Sequence, residues 1–197
     1  MTLADFEFRA WPKTPRLFRT VVITEKIDGT NACIYVNPDR SAVGAQSRNR
    51  TLTADDDNYG FAAWVTENAD ALADTLGPGY HYGEWWGSGI QRGYGLVGGE
   101  RRFSLFNTGR WTDGYGAPLD ELAQVDGLDV VPVLAHRTFD EHTLREVIDD
   151  LKENGSYAEP EWMAPEGIVV FHTASRQVYK VLIDSDEVSK TELAVVA

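Results

Sequence analysis

The sequence predicts an antiparallel-rich α+β fold with flanking helices. Apolar stretches of strand length outnumber helical ones, only two stretches carry helical periodicity, and those two do not alternate with strands as a doubly wound sheet requires. "RTVVITEKIDG" and "NACIYV" are β-branched runs separated by turn residues around Gly29, and "SAVGAQSRN" reads as a third strand. "DDDNYGFAAWVTENADALADTLG" spaces Phe61, Val65, Leu72 and Leu76 along one helical face, with Asp55 to Asp57 suited to its start and Gly77 to its end. One helix is predicted there. "YHYGEWW" and "RRFSLFN" read as strands flanking the glycine-rich loop "GSGIQRGYGLVGG", and "LDVVPVL" as another strand. "DEHTLREVIDDLKENG" is a second amphipathic helix that turns Leu144, Val147, Ile148 and Leu151 inward. Two strands close the pattern, "EGIVVFHT" and "QVYKVLI", joined by a turn from Ala174 to Gln177.

With 197 residues, 43% of them hydrophobic, the chain can bury a core as one domain over residues 1–197. No apolar run reaches the roughly 18 residues of a membrane span, and "MTLADFEFRA" lacks the basic-then-apolar layout of a signal peptide. A cytoplasmic protein without membrane contact is the expectation. The single cysteine, Cys33, excludes an internal disulfide or a cysteine metal cluster. A net charge of −13 argues against nucleic acid, but its distribution softens that argument. Residues 1–110 carry 12 basic and 13 acidic side chains, whereas residues 111–197 carry 6 and 18. The four histidines are scattered without metal-ligand spacing and read as structural or surface residues.

One of only five lysines, Lys26, stands at a strand end ahead of Asp28 and Gly29. Alone it reads as easily as a surface charge beside a turn. Its company changes the weight: "EKIDGTN" is followed in order by "QSRNR", "GEWWG", "FSLFN", "PEGIVVF" and "VYKVLI". This series resembles the covalent nucleotidyltransferase superfamily of DNA ligases, RNA ligases and capping enzymes, and is most similar to type-2 RNA ligases and their phage-type relatives. The resemblance spans residues 20 to 183. It implies the ATP-grasp-like nucleotidyltransferase core of ligases. Only 17 residues follow Lys180, too few for an OB domain, so none is expected.

By the same resemblance Lys26 attacks the α-phosphorus of ATP and holds AMP as a phosphoramidate. An ordinary lysine is neutral in only about one molecule in a few thousand at pH 7, so the reaction needs a neighbouring cation or metal ion. Lys180 is the cation the sequence offers, in a motif that usually carries two lysines. Asp28 orients the site. Glu166 and Glu84 are the metal-side acids for Mg²⁺, with Mn²⁺ able to stand in, since Mg²⁺ takes one or two carboxylates and keeps several waters. Glu84 also contacts the ribose, Glu25 approaches the purine edge, and Phe106 stacks on the base, with Phe103 turned to the core. Arg48 meets the triphosphate or a nucleic-acid 5′-phosphate, and Arg50, two residues on, is a second nucleic-acid candidate. Apart from the resemblance, the glycine-rich loop reads either as a lid or substrate-contacting loop, with Arg92 on phosphate and Tyr94 stacked on a base, or as a surface loop. The implied partners are ATP and RNA (or DNA) ends bearing a 5′-phosphate and a 3′-hydroxyl, with a protein partner supplying any missing platform. DNA ligase, capping chemistry and a non-catalytic nucleotide-binding module are the alternatives.

Overall fold

A computed structural model describes residues 7–184, which form two sheets facing each other across a cleft. The four-stranded sheet has the order β10-β9-β1-β8, built from β1 (Thr20–Lys26), β8 (Val133–Thr138), β9 (Gly167–His172) and β10 (Gln177–Leu182), every pair antiparallel. The six-stranded sheet has the order β4-β3-β2-β5-β6-β7. It contains β2 (Thr30–Val36), β3 (Val43–Ser47), β4 (Thr51–Leu52), β5 (Gly79–Gly87), β6 (Arg101–Leu105) and β7 (Leu128–Val130), and only β6 and β7 run parallel.

Each sheet has one face covered by helix. Behind the six-stranded sheet lie α1 (Phe61–Glu67) and α2 (Ala69–Leu76), whose Phe61, Leu72 and Leu76 pack with Ile34, Trp85 and Phe103. Behind the four-stranded sheet lies α4 (Glu141–Asn154), whose Val147 and Leu151 meet Val21, Ile23, Ile168 and Val170, with Leu144 and Ile148 at the edge. Strand side chains alternate, so each apolar row turned to a helix leaves the intervening residues facing the cleft. A one-turn α3 (Thr108–Trp111) sits at the cleft rim.

Two sequence expectations are corrected here. The single helix is two, interrupted at Asn68, whose backbone leaves the helical region (φ −107°, ψ 15°) while its side-chain amide donates to the Trp64 carbonyl at 2.8 Å. The Asn68 backbone N–H donates to the same carbonyl at 3.1 Å, so Asn68 caps the end of α1 and opens α2. "LDVVPVL" is also two strands, because Pro132 has no N–H to continue a ladder, and β7 and β8 join different sheets on either side of it. The aspartate expectation holds: Asp57 accepts from the free amides of Ala62 and Ala63 at the start of α1.

β1 and β2 are consecutive yet belong to different sheets, so the link Ile27–Gly29 crosses the cleft floor. Ile27 is buried there with Trp86, Tyr94 and Val131. Gly29 is required at the crossing: a Cβ would come within 2.5 Å of the Trp85 carbonyl oxygen and 2.8 Å of the Trp86 Cβ.

Candidate active site

Lys26 is the last residue of β1, and its register partner on β9 is Gly167. Glu166, one residue before Gly167, is therefore delivered beside Lys26, and the two side chains form an ion pair. Both are mostly buried, at 22% and 16% exposure. Gly167 has no room for a side chain, since a Cβ would lie 2.1 Å from the Val181 carbonyl oxygen. Lys180 on β10 pairs with Val169, which pairs with Thr24. It thus shares the cleft face with Lys26 by strand alternation. Lys26, Lys180, Arg48 and Glu84 line one cavity of about 410 Å³, which adjoins a larger cavity of about 1170 Å³.

Across the cleft, Glu84 on β5 faces Asn31 on β2. Its Oε1 accepts from the Gly29 amide at 3.1 Å and its Oε2 from the Asn31 amide group at 2.7 Å. The Asn31 Oδ1 in turn accepts from the Arg48 guanidinium. Burial pushes the Glu84 carboxyl up to about 7; Lys26 and the two donors oppose that rise, and Glu166 adds to it. Phe106, just after β6, is 42% exposed on the larger cavity, while Phe103 is fully buried in the core.

Other sequence candidates are placed elsewhere. The side chain of Glu25 lies on the helix side of the sheet, where Oε2 accepts from the amides of Tyr157 and Ala158 and Oε1 has no partner among the described residues. Only its backbone is left to line the cleft. Arg50 pairs with Asp56 at 2.8 Å and braces the turn before α1, away from both cavities. Arg92 pairs with Asp28 at 3.4 Å and Asp184 at 3.5 Å, so Asp28 faces this loop and not the Lys26 amine. Tyr94 cannot stack on a base, because it is fully buried between Trp86 and Trp162. Its hydroxyl donates to the Lys26 carbonyl and accepts from the amides of Asp28 and Glu166, each at 3.3 Å. One phenol therefore ties together the backbones of three candidate residues. His81 and His172 are buried on backbone carbonyls, and His142 and His136 are exposed, as read from the sequence, His136 facing the larger cavity.

The sequence matches the RNA ligase family over residues 19–182. This chain belongs to the RNA ligase family. Among solved structures, its fold is similar to a Naegleria gruberi RNA ligase mutant with ATP and Mn, at a TM-score of 0.61 and 18% identity over 85% of this chain and 51% of that one. A second mutant, with AMP and Mn, matches at a TM-score of 0.59 and 18% identity over 84% and 50%. An apo mutant gives 0.60 and 18% over the same shares. The chain spans about half the length of these ligases. No curated protein matches it.

For this RNA ligase family member, sequence reasoning missed Asn31 and misread Tyr94. Asn31 carries a signal in retrospect: asparagine is a poor strand residue, yet it opens the strand run "NACIYV". The donors present suit a hydrated divalent ion. Among the described residues no group of three or more acids, histidines and cysteines converges, but Glu84 and Glu166 flank Lys26, and one or two carboxylates are what Mg²⁺ takes while it keeps its waters. No helix among the described residues is long and apolar enough to cross a membrane.

Proposed function

We propose that this chain is the ATP-grasp-like adenylation domain of an ATP-dependent RNA ligase of the type-2, phage-like kind, with Lys26 as nucleophile. The observation that carries the reading is the convergence of Lys26, Lys180, Arg48 and Glu84 on one cavity, with Glu166 on the Lys26 amine. Cations on three separate strands or strand ends, in a chain of net charge −13, have no packing reason to meet.

In the first step the Lys26 Nζ attacks the α-phosphorus of ATP, a P–N bond forms, and the P–O bond to the leaving pyrophosphate breaks. Glu166 touches Nζ and fixes its position, but a carboxylate partner favours the ammonium, so loss of the proton to water would rest on Lys180 and on a divalent ion sharing Glu166. Lys180 and Arg48 offer positive charge to phosphate oxygens on which negative charge grows. Phe106 offers an exposed ring to the base. A divalent ion held by Glu84 and Glu166 would neutralise charge on the triphosphate. In the later steps a 5′-phosphate oxygen takes AMP from Lys26, and a 3′-hydroxyl displaces AMP to join the strands. The experiment gives pre-adenylated protein nicked RNA, nicked DNA and mixed duplexes, and follows AMP release and sealing. Release by an RNA 5′-phosphate end is expected. GTP in place of ATP tests capping chemistry, and labelling by GTP alone would replace the ligase reading.

A further inference from the structure

The larger cavity, about 1170 Å³, runs from Lys26 and Glu84 on to Tyr80, Tyr115 and Val178, beyond the residues assigned to the nucleotide. The wall that carries Glu84 turns aromatic with distance from the nucleophile. Glu84, Tyr82 and Tyr80 alternate along β5 on the cleft face, so their side chains form a line leading away from Lys26. Tyr80 and Tyr82 are 58% and 55% exposed, nearly parallel (16°), with centroids 6.3 Å apart. Tyr35 extends the row from β2, with its ring 4.6 Å from that of Tyr80. On the opposite wall the register partners Phe171 and Val178 are also exposed. The exposed phenols of Tyr80 and Tyr82 on this wall, backed by the half-buried Tyr35, are surface that gains by being covered.

Charge selects the occupant. Three cations, Lys26, Arg48 and Lys180, face Glu84, Asp113 and the Glu166 carboxylate on Lys26; the Arg110 guanidinium is spent on the Leu76 carbonyl and the Glu25 carboxylate is turned away. That balance is far less acidic than the chain's net −13, and Arg48 and Lys180 are left to meet a polyanion with flat faces. A duplex hides its base faces, whereas unpaired bases offer them to aromatic rings. We propose that Tyr35, Tyr80 and Tyr82 form a stacking track for unpaired bases of a nucleic-acid strand, which rests on the reading of Lys26 as the nucleophile for the end that the track leads to. The preferred substrate is thus a single-stranded or frayed end.

The test is fluorescence anisotropy in the Lys26→Ala background, so that binding is read without adenylation. The probes are a short 5′-phosphorylated single-stranded RNA, the same strand with abasic sites, and a blunt RNA duplex. Tyr80→Leu and Tyr82→Leu are each expected to weaken binding of the intact strand about tenfold, Tyr→Phe at either position to restore it, and both Leu variants to be silent on the abasic strand. Equal losses for Leu and Phe, equal losses on the abasic strand, tighter binding of the duplex, or no binding of the parent protein would overturn the track; the last outcome would return the surface to a protein partner. Labelling of Lys26 by ATP is scored separately. A parent protein that binds strands but never labels contradicts the ligase reading and leaves the track standing.

Discussion

Among the carboxyls of the cleft, Glu84 is the one whose protonation burial shifts upward. Its native value of about 7 lies above the ordinary 4.5, so the folded protein holds this proton more tightly than the unfolded chain. The stability Glu84 contributes is therefore complete below pH 4.5 and is lost as pH rises through 7, by about 3 kcal/mol. Denaturant unfolding without divalent ions should show wild type losing that much more than Glu84→Gln between pH 4.5 and pH 8. Equal pH slopes for the two proteins would contradict the burial argument, and Mg²⁺ is expected to shrink the difference by giving the charged form a partner. Lys180 carries a second expectation at this scale. Lys180→Ala should slow labelling by ATP about 10²- to 10³-fold, the cost of one preorganised charge contact, while the label that forms still sits on Lys26. An unchanged rate would make Lys180 a surface residue. Lys26, Glu84, Glu166 and Lys180 were legible in the sequence because each sits in a short motif. Asn31 and Tyr94 were not, because an asparagine that links Arg48 to Glu84 and a phenol that ties three backbones act through tertiary partners far along the chain.

At the scale of elements, the crossover Ile27–Gly29 sets the distance between the nucleophile and the Glu84 wall. Gly29→Ala forces a methyl against the Trp85 carbonyl and the Trp86 Cβ, so the two sheets must shift. A loss of about 1–3 kcal/mol on denaturant unfolding is expected, together with slower labelling per folded molecule. Wild-type labelling in this variant would show that the crossing does not position the site. The strand and helix regions were readable from periodicity, but their breaks were not. Asn68 splits a helix whose apolar spacing runs on through it, and Pro132 splits a strand between two sheets. In both places a local hydrogen-bonding fact overrides an unbroken hydrophobic pattern.

The whole molecule resolves the conflict between an acidic chain and a phosphate-rich substrate. Among the described residues, the cleft gathers Lys26, Arg48 and Lys180 beside Glu84, Glu166 and Asp113, a balance far less acidic than the chain's −13. With about three phosphates contacted, the logarithm of affinity for single-stranded RNA should fall against the logarithm of salt with a slope of about −2. A much steeper slope would place binding on a surface other than this one. The antiparallel-rich α+β architecture was legible from the excess of strands over helices that do not alternate with them, yet the partition into two facing sheets was not, because β1 and β2 read like ordinary neighbours and only tertiary packing sends them to opposite walls. The central claim is chemical: Lys26 becomes covalently bonded to AMP. Incubation with ATP and Mg²⁺, followed by mass mapping of the proteolysed protein, should find acid-labile AMP on the peptide containing Lys26 and none in Lys26→Ala. AMP on any other residue, or adduct that persists in Lys26→Ala, would contradict it.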